Sequence, residues 1–107
     1  MKQMTVAELA AWMAEPQGEK PQLLDVREAH EWAICRVEGS QHIPMGTIPS
    51  RLDALDPARP LVCICHHGGR SMQVAIFLER NGFGEVYNLA GGVDAWALQV
   101  DPSMARY

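Results

Sequence analysis

The chain has little excess charge and no charge run. Its 107 residues carry 9 Lys and Arg against 13 Asp and Glu, a net charge of −4. That balance leaves no basic footprint for nucleic acid. It also leaves no basic amphipathic helix for a membrane surface. No apolar run approaches the ~18 residues of a membrane span. The first residues, Met1-Lys2-Gln3-Met4-Thr5-Val6-Ala7-Glu8, lack the apolar stretch of a secretion signal, so the expected compartment is the cytoplasm. Cysteine is scarce: Cys35, Cys63 and Cys65 are an odd number without framework spacing. In a reducing compartment they are expected as free thiols. There is no repeat and no linker long enough to divide the chain. The expectation is one domain over residues 1–107, with a core at about 5–99 and a C-terminal extension at 100–107.

What is present is an ordinary globular composition, 48% apolar and 21% charged. A chain of this length can bury well over half of the surface its unfolded form exposes, so it needs no staples. Thr5 and Glu8 are spaced as a capping box for a first helix, with Val6, Leu9, Ala10 and Met13 on one face. Residues 15–21 read as a loop. Residues 23–26 form a short buried strand that ends on Asp25-Val26-Arg27. Residues 28–34 predict a short helix with Trp32 in the core, 39–44 a turn and short strand, and 48–55 a weak helix. The run 61–64 is uninterruptedly apolar, as in a strand buried on both faces of a parallel sheet. Residues 71–80 give the strongest helix, mostly buried, stopped by Asn81-Gly82. A strand at 85–89, a tight turn at Ala90-Gly91-Gly92 and a helix at 93–99 complete the order. Trp12, Trp32 and Trp96 read as core residues of separate helices. Alternating strands and helices predict an α/β fold with a mainly parallel central sheet flanked by helices.

One stretch organises the rest: Cys65-His66-His67-Gly68-Gly69-Arg70-Ser71, between the apolar strand and the strongest helix. In open α/β sheets, sites lie beyond the carboxyl ends of the strands. A free cysteine is mostly thiol at neutral pH, and the thiolate is the nucleophile. The helix N-terminus, the loop N–H groups and Arg70 all favour the thiolate. His66 and His67 add to this if protonated. Gly68 and Gly69 allow the loop to turn its N–H groups inward. The result is a cup of donors around the sulfur of Cys65, able to hold a thiolate, a persulfide or an oxyanion. Cys63, mid-strand, reads as a small core residue. Its extended spacing from Cys65, about 6.5–7 Å, is at the edge of disulfide reach. Cys35 reads as a packed helix-end residue. Cys63, Cys65, His66 and His67 are too crowded in sequence to converge on a zinc ion, so no metal is expected. His30 and His42 read as surface or hydrogen-bonded residues.

At these residues the chain resembles the rhodanese family of sulfurtransferases. The pieces are Leu23-Leu24-Asp25-Val26-Arg27-Glu28, Glu31-Trp32, Gly39-Ser40-Gln41-His42-Ile43-Pro44, the cysteine loop, Leu89-Ala90-Gly91-Gly92-Val93 and Ala95-Trp96. Their order and spacing cover the chain from about Thr5 to Trp96. The resemblance implies a rhodanese-like three-layer fold in single-domain form. It implies a two-step exchange with no metal or organic cofactor. Cys65 takes the sulfane sulfur of a small anionic donor such as thiosulfate and becomes a persulfide. It then passes that sulfur to cyanide, a thiol or a protein acceptor. The backbone from His66 to Ser71 would cradle the persulfide, and Arg70 would bind the anionic donor. Asp25 and Arg27 would brace the loop by hydrogen bonds; by themselves they also read as a structural ion pair. Related phosphatases and arsenate reductases have one more residue between Cys and Arg, a wider cup for a tetrahedral oxyanion. Here four intervene, His66, His67, Gly68 and Gly69, which favours sulfur. His66 and His67 depart from the loops of well-known family members and leave the donor open. A non-enzymatic persulfide carrier or regulatory binding module would use the same cup.

Overall fold

The computed structural model describes all residues, 1–107. Five strands, β1 (Lys2–Met4), β2 (Gln22–Asp25), β3 (Gln41–His42), β4 (Leu61–Ile64) and β5 (Val86–Leu89), form one sheet. Its order is β1-β5-β4-β2-β3, and every neighbouring pair is parallel. The helices are α1 (Val6–Ala14), α2 (Ala29–Ile34), α3 (Gly69–Arg80) and α4 (Gly92–Gln99). None is long and apolar enough to cross a membrane.

The apolar run of β4 explains its central place. All four of its residues are buried. Successive side chains of a strand point to opposite faces. Leu61 and Cys63 enter a cluster with Val74, Ala75 and Leu78 of α3, while Val62 and Ile64 enter a second with Leu9 of α1 and Val93 of α4. The sheet therefore lies between two helical layers, the three-layer α/β arrangement that the family resemblance implies. The Thr5–Glu8 capping box is formed: the Thr5 hydroxyl accepts from the Glu8 N–H at 3.1 Å, and the Glu8 carboxylate accepts from the Thr5 N–H at 2.9 Å.

Several local expectations are corrected. β1 was not anticipated, because Lys2-Gln3-Met4 has no apolar run; it is an edge strand whose stability comes from its pairing with β5. The segment 48–55 is not one helix but two short 3-10 pieces, Met45–Ser50 and Leu52–Ala54, with Pro49 inside the first. α3 begins two residues early, at Gly69, and Met72 on it is exposed. Trp32 is only half-buried. Its ring stacks on His42 at 4.8 Å, under the Arg36 guanidinium at 4.4 Å, instead of entering the core. Trp12 and Trp96 are partly buried against the second cluster. The extension 100–107 folds back toward the carboxyl ends of the strands, where Tyr107 meets His66.

Candidate active site

Cys65 follows the last residue of β4, where the ladder ends and the chain must turn. Its carbonyl accepts from the Val93 N–H at 2.9 Å, and the His66 carbonyl accepts from the Asp94 N–H at 3.1 Å. These donors belong to the first turn of α4, whose N–H groups have no partner within the helix. With the carbonyls drawn toward α4, the loop N–H groups face the sulfur. Two glycines make this possible. Gly68 has φ +113°, a left-handed conformation costly for any other residue. At Gly92, a Cβ would stand 2.3 Å from the Cys65 carbonyl oxygen and 2.4 Å from that of His66.

The Cys65 sulfur accepts from the Gly68 N–H at 3.1 Å and lies 3.2 Å from the Ser71 hydroxyl. Burial pushes the thiol up. The Ser71 hydroxyl and the N–H groups of Ser71, Gly68 and His67 outweigh it and hold Cys65 below the ordinary thiol value. Cys63 is the opposite case, pushed up by burial and then by its neighbour Cys65, so it stays protonated and inert. Cys35 is half-buried, and all three cysteines are free.

Asn88 completes the cup and was not foreseen. It is a buried amide in an otherwise apolar strand end, which is the only local signal it gives. Its nitrogen donates to the Gly68 carbonyl and to the Gln3 side chain, both at 3.0 Å. Its oxygen lies 2.5 Å from the Ser71 hydroxyl.

Arg70 is paired with Glu31. Both its terminal nitrogens bind the Glu31 carboxylate, at 2.6 and 2.8 Å. Glu31 is held well below the usual carboxylate range, first by Arg70, against burial, with help from the Tyr107 hydroxyl and the Glu28 N–H. Asp25 and Arg27 do form a fully buried ion pair, at 2.8 Å. Their expected hydrogen bonds to the cysteine loop are absent. Arg27 instead donates to the Glu31 carbonyl at 3.3 Å, the Cys35 carbonyl at 2.5 Å and the Tyr107 hydroxyl at 2.9 Å. It braces the segment that carries Glu31 and reaches the loop indirectly, through the Glu31–Arg70 pair and through Tyr107, which stacks on His66.

His66 does not supply positive charge. Burial and the neighbouring His67 lower its pKa, against the pull of Asp94 and Glu31, so the ring is neutral at neutral pH. Its Nε2 is buried without a hydrogen-bond partner. A nitrogen from each histidine and an Asp94 oxygen lie within 4.8 Å of one another. The two ring centroids are 3.9 Å apart with their planes tilted by 31°, and His67 Nε2 lies 3.8 Å from the Asp94 carboxylate. Asp94 is also paired with Arg106 at 3.1 Å. Three donor groups are one fewer than the four of a closed structural zinc site.

Known proteins share this fold and sequence. The rhodanese-like domain family matches residues 5–99. The chain is 40% identical over 112 residues to the rhodanese-like/PpiC domain-containing protein 12, chloroplastic, of Arabidopsis thaliana; the match covers 100% of this chain and 38% of that protein. It thus spans little more than a third of that relative. It is 36% identical over 74 residues to the thiosulfate sulfurtransferase GlpE of Stutzerimonas stutzeri, covering 69% of this chain and 68% of that one. A rhodanese-like domain protein from Staphylococcus aureus superposes with a TM-score of 0.85 at 32% identity, covering 100% of this chain and 99% of that one. With its parallel sheet, its cysteine loop ahead of α3 and these relatives, the chain belongs to the rhodanese family.

Proposed function

We propose that the chain is a sulfurtransferase that carries sulfane sulfur on Cys65. The observation that carries this reading is the buried Cys65 sulfur, held by the Gly68 N–H and the Ser71 hydroxyl and kept below the ordinary thiol value. Such a site raises the share of Cys65 present as the nucleophilic thiolate above that of an ordinary cysteine. The Cys65 thiolate attacks the outer sulfur of a donor such as thiosulfate. The S–S bond of the donor breaks, and sulfite leaves with the electron pair. Cys65 then bears a persulfide whose terminal sulfur is anionic. In the second step cyanide or a thiolate attacks that terminal sulfur, and the Cys65 thiolate leaves. No net oxidation of the protein occurs, and each step passes through an anion that the loop N–H groups can stabilise.

The donor is met by the loop backbone more than by Arg70, whose charge is largely met by Glu31. The similarity to a thiosulfate sulfurtransferase supports thiosulfate as the first donor to try. The test is intact mass after incubation with thiosulfate. A gain of one sulfur on Cys65, lost to cyanide with thiocyanate released, is the expected result. No gain with any sulfane donor would overturn the reading.

A second reading is a persulfide carrier within a larger protein, favoured by the match to 38% of a longer relative. It predicts the same mass gain with negligible turnover on cyanide or small thiols.

A further inference from the structure

Cys65 carries the nucleophilic sulfur and is 1% exposed. A reactant reaches it only past whatever covers the loop. His66, the next residue, is half-buried although it stands on a surface loop. Its ring lies 3.9 Å from that of His67 and 3.8 Å from that of Tyr107, the latter nearly parallel at 11°. Two rings cannot share one face at that spacing, so His66 is sandwiched between them.

The Tyr107 hydroxyl donates to the Glu31 carboxylate at 2.7 Å and accepts from Arg27 at 2.9 Å. Glu31 in turn holds Arg70, at the far end of the loop. One phenol thus touches the first loop residue with its ring and, through one carboxylate, the last. It links the two ends of the loop. The rest of its segment is lightly held. Residues 102, 103, 105 and 106 are exposed, and Tyr107 itself is 40% exposed. Arg106 pairs with Asp94 near the surface, where an ion pair contributes little. Met104 packs against the second apolar cluster.

We propose that Tyr107 is a specificity-determining residue of sulfur transfer: stacked on His66, it closes the rim to bulky reactants while small ones pass. The proposal rests on the sulfurtransferase reading above. A small anion or cyanide enters beside the stacked rings. A thiol the size of glutathione, or a protein thiol, reacts only in the fraction of molecules whose 100–107 segment has lifted, and its rate is reduced by that fraction. The two hydrogen bonds of the hydroxyl to charged groups set how small the fraction is.

The test compares the wild type with Tyr107→Phe and Tyr107→Ala. Cys65 is labelled with iodoacetamide and with fluorescein maleimide, and the adduct is located by peptide mass because Cys35 is only half-buried. Tyr107→Ala should speed maleimide labelling about tenfold, the effect of losing a stacked pair and a charge-assisted bond, and leave iodoacetamide labelling nearly unchanged. Tyr107→Phe keeps the ring and should fall between. An equal rise with both reagents would mean general loosening. No rise with the maleimide would mean that the phenol is not the barrier. Either result overturns the proposal. In a second arm, kcat/KM is measured with thiosulfate as donor and cyanide or glutathione as acceptor. The glutathione-to-cyanide ratio should rise in Tyr107→Ala; an unchanged ratio also counts against the proposal. If no protein turns over any acceptor while labelling still discriminates by size, the barrier stands and the sulfurtransferase reading falls.

Discussion

The Ser71 hydroxyl lies 2.5 Å from the Asn88 amide oxygen and 3.2 Å from the Cys65 sulfur, and it has one proton to give. While Cys65 is a thiol, that proton serves Asn88 and the thiol can donate to Ser71. When Cys65 is a thiolate, the hydroxyl turns to the sulfur. Ser71→Ala removes the donor and should raise the thiol pKa, so alkylation at pH 7 slows by about tenfold. The check is the pH dependence of the alkylation rate, whose midpoint should move up. Asn88→Ala should act differently. It frees the Gly68 carbonyl and loosens the loop, costing about 1–3 kcal/mol in urea unfolding.

Glu31→Gln tests the pair that engages Arg70. A carboxyl held below its ordinary value binds a proton more readily in the unfolded chain. Its stabilisation is complete above the ordinary glutamate value of 4.5 and drains away as pH falls below it. The wild type should therefore lose stability more steeply than Glu31→Gln as the solution is acidified from there. At pH 7 the variant should be less stable by about 1–3 kcal/mol, below the cost of a fully buried pair because Arg70 is 37% exposed. Matching acid slopes in the two proteins would remove Glu31 as the source.

Gly92→Ala places a methyl against the Cys65 and His66 carbonyl oxygens and asks alanine to hold φ +58°. The expected cost is about 2 kcal/mol or more. Persulfide formation should suffer in the fraction that remains folded, because the clash bears directly on the loop. Thermal unfolding and intact mass read the two effects separately.

The two strand-end cysteines should part company. Cys65→Ser should abolish persulfide formation with little change in unfolding temperature. Cys63→Ala removes a protonated core thiol and should leave the mass gain intact, at a stability cost of about 1 kcal/mol. Loss of the mass gain in Cys63→Ala would reveal a redox role for that sulfur.

What the residues made legible was local. An apolar run ending in cysteine, glycines and a helix defines β4, the loop and α3 within one short stretch. The Thr5–Glu8 box is equally local. The partners of charged groups were not legible, because they depend on which distant segments meet. Asp25 and Arg27 pair as their spacing suggests, yet their further bonds run to the Glu31 segment and Tyr107. The partner of Arg70 was hidden in sequence because Glu31 lies 39 residues away. Asn88 was hidden in a strand whose other residues speak only of burial. Tyr107 has no neighbouring pattern that would announce a role.

The bonds from α4 to the Cys65 and His66 carbonyls carry a consequence for timing. The nucleophile leaves the ribosome well before the helix that aligns its loop. Until α4 docks, those two carbonyl bonds are missing and the cup of N–H donors lacks one of its supports. Before then Cys65 titrates as an accessible but untuned thiol. Controlled sulfur chemistry is thus a property of the folded chain, and it arrives with a helix made after the nucleophile.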